Sequence, residues 1–331
     1  MRNLGKLAVL GITALGLALA GPQDNSLVIG ASQEPRVLAG DFLSVISNQA
    51  IKSEIEQYLF APFIGFNADS QNFPVLATEV PTLENGRLRV TDIGGGKKRL
   101  EMDITIRPDA KWSDGRPITT EDVAFYFEVG KAKGMPVLNP DFWERVNVRI
   151  KDARNFTLIF EPAYYYDTYG PINTYAPKHI MGPEWERVKA AARGLDPQKD
   201  AEKLNELYRN FFIKFSTPQA LNRGAMVYSG PFMLRRWVPV NSIEMVRNPN
   251  FPIKPEGGES KYVQKVVYRF IQNTNSLLVA VIGGSIDATS SVSLTFDQGR
   301  SPQLVRRAPG RFDIWFVPGA IGEHIDINKF E

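Results

Sequence analysis

The 331-residue sequence carries 39 basic and 36 acidic residues, a formal net charge of +3, and its 43% hydrophobic and 23% charged composition is that of a globular chain large enough to bury a sizeable core. The absence of cysteine excludes a disulfide framework, a thiolate zinc site and a cysteine nucleophile, and with His179 and His324 as its two histidines the chain cannot build a multi-histidine metal centre. The near balance of charge gives no basis for a nucleic acid or an anionic membrane as partner.

Residues 1–20 read as a secretory leader: Arg2 and Lys6 open it, an apolar run follows from Leu7 to Leu19, and Ala18-Leu19-Ala20 is a small-residue cleavage site. The run is too short for a bilayer-spanning helix of about 20 residues. Removing Arg2 and Lys6 takes the net charge from +3 to +1. Ser26–Ala31 is then a short apolar strand that ends in small residues, and Ser32-Gln33-Glu34-Pro35 follows as a polar loop at a strand end. Residues 54–66 form a helix end running into a strand.

Leu100, Met102, Ile104 and Ile106 alternate with polar residues, as a strand with one buried face requires. Gly94-Gly95-Gly96-Lys97 before it lacks the spacing and the following helix of a phosphate-binding loop, so it reads as a hairpin turn. After the strand, Asp114-Gly115 is a turn pair, and Thr119 stands three residues before Asp122 as a near capping box. Val123, Tyr126 and Phe127 share a helical face that packs back on the sheet. Alternation at Val146, Val148 and Ile150, and again at Phe156, Leu158 and Phe160, predicts two more strands.

Two aromatic groups, Phe142-Trp143 after the Pro140-Asp141 turn and Tyr164-Tyr165-Tyr166 after a strand, suit a binding wall or core packing equally. Pro183 and Asp196-Pro197 are expected helix starts, and Ala201, Leu204, Leu207, Tyr208, Phe211, Phe212 and Phe215 form an apolar stripe that reads as core. A β-branched strand from Tyr262 to Ile271, a helix from Ser276 to Gly284 and a strand from Gly284 to Ala288 follow. Thr289, Ser290 and Ser291 are hydroxyl groups for a polar ligand or ordinary exposed loop residues.

The string from Arg107 to Val123, with Trp112-Ser113-Asp114-Gly115, Pro117, Thr119 and Glu121-Asp122-Val123, resembles the signature of the peptide/nickel-type (family 5) extracellular solute-binding proteins that serve ABC importers. Residues 54–66, Ala176-Pro177-Lys178-His179-Ile180, Tyr228-Ser229-Gly230-Pro231-Phe232, Arg247-Asn248-Pro249-Asn250-Phe251 and residues 284–288 are similar to the same family in the same order. The resemblance implies an α/β, two-lobed periplasmic-binding-protein-like fold (type II) with an extra small subdomain. Residues 21–271 would form the first lobe, including a small α+β subdomain over 51–162, and 272–331 would begin the second.

The resemblance also implies a solute receptor rather than an enzyme, needing no cofactor or metal. Ligand is expected at Ser32, Glu34, Pro35, Phe142, Trp143, Tyr165, Tyr166 and Ser290, whereas Trp112 and Asp114 mark the fold. The expected ligand is an oligopeptide, with nickel chelates and oligosaccharides open, and the expected partner is an ABC permease in the inner membrane. With no cysteine for a lipid anchor, the expected location is the periplasm and the full-length form a monomer. His324-Ile325-Asp326-Ile327-Asn328 resembles a strand from the middle of a domain, so a C-terminally truncated second lobe is expected, with unpaired edges that promote association. A secreted hydrolase would need a nucleophile with its base or a metal set, and neither HExxH nor Gly-x-Ser-x-Gly occurs. A ligand sensor on the same fold is the other alternative.

Overall fold

The computed structural model describes residues 25–67, 69, 71–164, 176–254, 257–258, 262–309 and 313–315. Residues 1–20, expected to be a leader, Tyr165, Tyr166 and the string from His324 to Asn328 lie outside the described residues. In chain order the elements are β1 (Ser26–Ala31), α1 (Ala50–Leu59), β2 (Ile64–Phe66), β3 (Asn72–Pro74), β4 (Leu88–Asp92), β5 (Lys98–Thr105), α2 (Thr120–Gly130), α3 (Pro140–Arg145), β6 (Val146–Ile150) and β7 (Asn155–Phe160). There follow α4 (Lys178–Ala192), α5 (Ala201–Ser216), α6 (Pro218–Leu221), β8 (Phe232–Val238), β9 (Ser242–Arg247), β10 (Lys265–Phe270), α7 (Thr274–Gly283), β11 (Ala288–Thr289), α8 (Phe296–Gly299) and α9 (Pro302–Val305).

Among the described residues the strands form three sheets. The main one has the order β11-β1-β10-β9-β8, with β1 parallel to both β10 and β11 and the remaining pairs antiparallel. Strand β1 lies between β11 and β10 with both its faces covered, which is why its sequence is almost continuously apolar. Ile29 and Ala31 join the large core on the α1 side, while Val28 packs with Leu277 and Ile286 beneath α7 on the other. The second sheet, β4-β5-β7-β6, is antiparallel. Leu100, Met102 and Ile104 face inward along β5 and its polar residues face out, as the alternation predicts. Residues 94–96 turn the β4–β5 hairpin, and β2 and β3 form a small ribbon.

The two sheets are joined where the recognisable strings meet. Thr119 caps α2 and closes a reciprocal box with Asp122. The Asp122 carboxylate also accepts from the Trp112 indole at 3.2 Å and from the Lys178 amide at 2.9 Å, so it fastens α2 to both the Trp112 loop and the start of α4. Burial pushes the Asp122 carboxyl upward against these donors. Ser113 exchanges two hydrogen bonds with Tyr228, and the Asn250 amide donates to the Ser113 carbonyl. Gly230 sits so close to α1 that a Cβ there would lie 2.6 Å from the Phe60 nitrogen and the Tyr58 carbonyl oxygen. Ser229 accepts from the Ala61 amide, and Asn248 ties down the Gly230 and Pro231 carbonyls. Gly115 takes φ +88°, as its turn requires.

Three sequence expectations change. Helix α4 begins at Lys178 with Pro177 as its cap, and Pro183 falls inside it as the sixth residue rather than at its start. Asp196-Pro197 turns the chain before α5, whose cap is Asp200. Phe142 and Trp143 lie in α3, capped by Asn139, rather than in a loop after a turn. The sequence puts the crossing between lobes near residue 272; from there the chain passes over the sheet through α7 and returns as β11, so that Ala288 and Thr289 pair with β1 in the main sheet. Local pattern finds a helix and a strand but not the strand's partner. No helix among the described residues is long and apolar enough to cross a membrane.

Candidate ligand cleft

In open α/β sheets, ligands settle outside the carboxyl ends of parallel strands, where neighbouring connections diverge. Here β1 continues toward α1 on one face, while β10 continues into α7 on the other, and the three parallel strands end together at Ala31, Phe270 and Thr289. The loops that follow present Ser32 to Pro35, Gln272 and Asn273, and Ser290 to Ser293.

Those loops are bonded to one another. The Ser290 amide and the Ser293 hydroxyl both donate to the Gly30 carbonyl, at 2.8 and 2.7 Å. The Ser32 amide and hydroxyl both donate to the Val292 carbonyl. Beneath them stands Glu54 of α1: one carboxylate oxygen accepts from the Tyr268 hydroxyl at 2.8 Å, and the other from the Ser290 hydroxyl (2.9 Å), the Ser291 amide (3.0 Å) and the Ser291 hydroxyl (2.6 Å). Burial, reinforced by the adjacent Tyr58 and Glu54, raises the Tyr268 phenol far above its ordinary value, so it remains a donor at any physiological pH.

Glu34 is turned inward. Its two oxygens accept from the Trp237 indole and the Val240 amide, each at 2.8 Å, and so pin the loop to the β8–β9 hairpin. Pro35 is buried, Ser32 is half-buried, and Ser290 is 5% exposed. Phe142 and Trp143 lie apart from these loops. Trp143 closes over Gly130, Tyr126 and Phe127, and Phe142 packs on Phe160. Sequence reasoning missed Glu54, Tyr268 and Trp237. The available signal was Glu54 and Tyr58, one turn apart beside the apolar run of Ile51, Ile55 and Leu59.

No hydrolytic constellation forms from the residues considered for one. His179 does meet Asp114, with 2.9 Å between Nε2 and Oδ2, but Ser229 is fully buried against Ala61. Among the described residues no three acidic or histidine groups are placed to hold a metal. A cavity of about 620 Å³ between α4 and α5, lined by Trp185, Leu204 and Tyr208, includes none of the strand-end residues.

Known proteins share this architecture. The model of the bacterial extracellular solute-binding proteins, family 5 Middle, matches residues 97–315. The crystal structure of an oligopeptide-binding protein from Thermus thermophilus, complexed with a pentapeptide, is 97% identical, with a TM-score of 0.91 over 93% of this chain and 51% of that one. The oligopeptide-binding protein AppA from Bacillus subtilis, in complex with a nonapeptide, shares the fold at 20% identity, with a TM-score of 0.54 over 79% of this chain and 43% of that one. A probable ABC transporter-binding protein from Deinococcus radiodurans is 26% identical over 203 residues, 59% of this chain and 30% of that protein. This chain thus spans about half, or less, of the length of these relatives.

Proposed function

This chain belongs to the bacterial extracellular solute-binding proteins of family 5, and from that premise we propose that it supplies the first lobe and the small subdomain of an oligopeptide receptor for an ABC importer. The observation that carries the reading is near-identity, over almost the whole chain, with a protein whose structure holds a pentapeptide. The receptor is a periplasmic monomer in its full-length form, released by cleavage of the leader, and passes peptide to a permease in the inner membrane. It performs no chemistry on its ligand.

The ligand lies across the carboxyl ends of β1, β10 and β11. One wall is made by the loops that contain Ser32 and Ser290, with Glu34 and Pro35 holding the first loop in place. An extended peptide bonded through its main chain gains affinity with little dependence on its side chains. Contacts to a second lobe, reached beyond β11, stabilise a closed state, so that peptide shifts an equilibrium between open and closed forms.

Calorimetric titration of the full chain with mixed-sequence pentapeptides tests this. Saturable binding, with each peptide recovered intact, is expected. Cleaved peptide would instead favour a hydrolase, and a silent titration in which a nickel chelate binds would reassign the ligand.

A further inference from the structure

The four donors gathered on Glu54 do more than fill a half-buried acceptor. Tyr268 belongs to β10, while Ser290 and Ser291 are the first residues after β11, where the chain leaves the sheet. The same short segment reaches back over β1 through the Ser293 hydroxyl on Gly30 and the Ser32 amide on Val292. One carboxylate therefore fastens three elements, α1, β10 and the exit from β11, at the end of the sheet where ligand is expected.

Resting on the receptor reading above, we infer that Glu54 is a positioning residue that clamps the crossing between the lobes: it fixes residues 290–293 to the first lobe, so that hinge motion begins beyond them. Every partner of the carboxylate donates, which suits an ionised acid with two acceptor oxygens. Glutamine keeps the shape but brings an amide donor. Its one oxygen, set toward the Ser291 amide, is uncharged and holds the three serine donors more weakly than a carboxylate oxygen does, while its amide nitrogen faces the Tyr268 hydroxyl.

The clamp sets ligand kinetics through the crossing. Freed from Glu54, residues 290–293 join the moving part and the closed state opens more often. Encounter is unaffected, so loss of the clamp raises the peptide off-rate and leaves the on-rate near its original value.

The test compares Glu54→Gln with Ile55→Val in the full chain by hydrogen exchange and by stopped-flow binding of a mixed-sequence pentapeptide. Ile55 is fully buried on the same helix, and trimming it lowers stability without touching residues 290–293. Exchange at the Ser291 amide is expected to rise about tenfold in Glu54→Gln while the amides of β9 keep their protection, with an off-rate about tenfold higher; Ile55→Val should do neither. Equal exchange at residues 290–293 in the two variants would overturn the clamp. Should Glu54→Gln fail to fold, Ser291→Ala removes one donor at an exposed position; faster local exchange there supports the clamp, and unchanged exchange overturns it. If the parent chain binds no pentapeptide, the receptor reading fails while the exchange comparison still decides the role of Glu54.

Discussion

The joint between the sheets and the carboxyl end of the main sheet are built by opposite means. At the joint, Trp112, Ser113, Asp122, Tyr228, Gly230 and Asn248 interlock through buried side chains and backbone, several of them in strings distinctive enough to read from sequence. At the sheet end, Ser32, Glu54, Ser290 and Ser291 meet across more than 200 positions of chain, with hydroxyls and a carboxylate that carry no local signature. Residues that identify a fold are those for which no substitute fits. Residues at the sheet end need only a polar group in the right place, so they leave a fainter trace.

Substitutions at the joint should therefore destroy stability and spare binding. Trp112→Ala, at a site with no solvent exposure, leaves a cavity and takes a donor from Asp122; a loss of about 3–5 kcal/mol is expected in urea unfolding. Gly230→Ala drives a Cβ into the backbone of α1 and should cost about 1–3 kcal/mol, with peptide affinity of the folded fraction preserved. A large affinity change with little loss of stability in either variant would erase the contrast between the regions.

A third variant probes the loop that follows β1 from below. Lys52, Glu56 and Asp41 are all buried, with Lys52 paired to Glu56 at 3.4 Å and Glu56 accepting from the Ala39 amide. Burial pushes the Glu56 carboxyl up from its ordinary 4.5 to about 7 despite Lys52. The folded value lies above the unfolded one, so the native state binds the extra proton. The stabilisation from that proton is complete below about pH 4.5 and is lost as pH rises toward 7. Glu56→Gln should flatten the decline in melting temperature between those limits; an unaltered pH profile would show that Glu56 stays ionised throughout.

The smallest effect belongs to the outer face of the second sheet, where Arg89, Arg149 and Lys151 pair with Glu101 and Asp103. Burial opposes ionisation of Asp103, yet bonds from Arg89, Lys151 and Thr157 outweigh it and hold the carboxyl well below the usual carboxylate range. Arg149 is more than half exposed, so Arg149→Ala should cost under about 1 kcal/mol, and less in high salt, as read by urea unfolding.

Legibility in the sequence followed the same division. Alternation located β5 and β7, and Thr119 with Asp122 marked the start of α2, because these signals depend on neighbours two to four positions away. The membership of β11 in the main sheet was hidden, since its pairing with β1 spans most of the chain and its two residues carry no pattern of their own. Pro183 misled because Pro177 already supplies the boundary of α4. Ser32 and Ser290 do stand at the ends of parallel strands, while Glu34 turns inward to Trp237, a partner no local reading could supply. Glu54 stayed hidden because all its partners come from distant elements.

The most direct measurement is hydrogen exchange of the full chain with and without a saturating pentapeptide. Added protection is expected in the loops after β1 and β11, at residues 32–34 and 290–293, with the joint around Ser113, Tyr228 and Asn248 unchanged. Protection gained instead around the cavity between α4 and α5, or at no site at all, would contradict it.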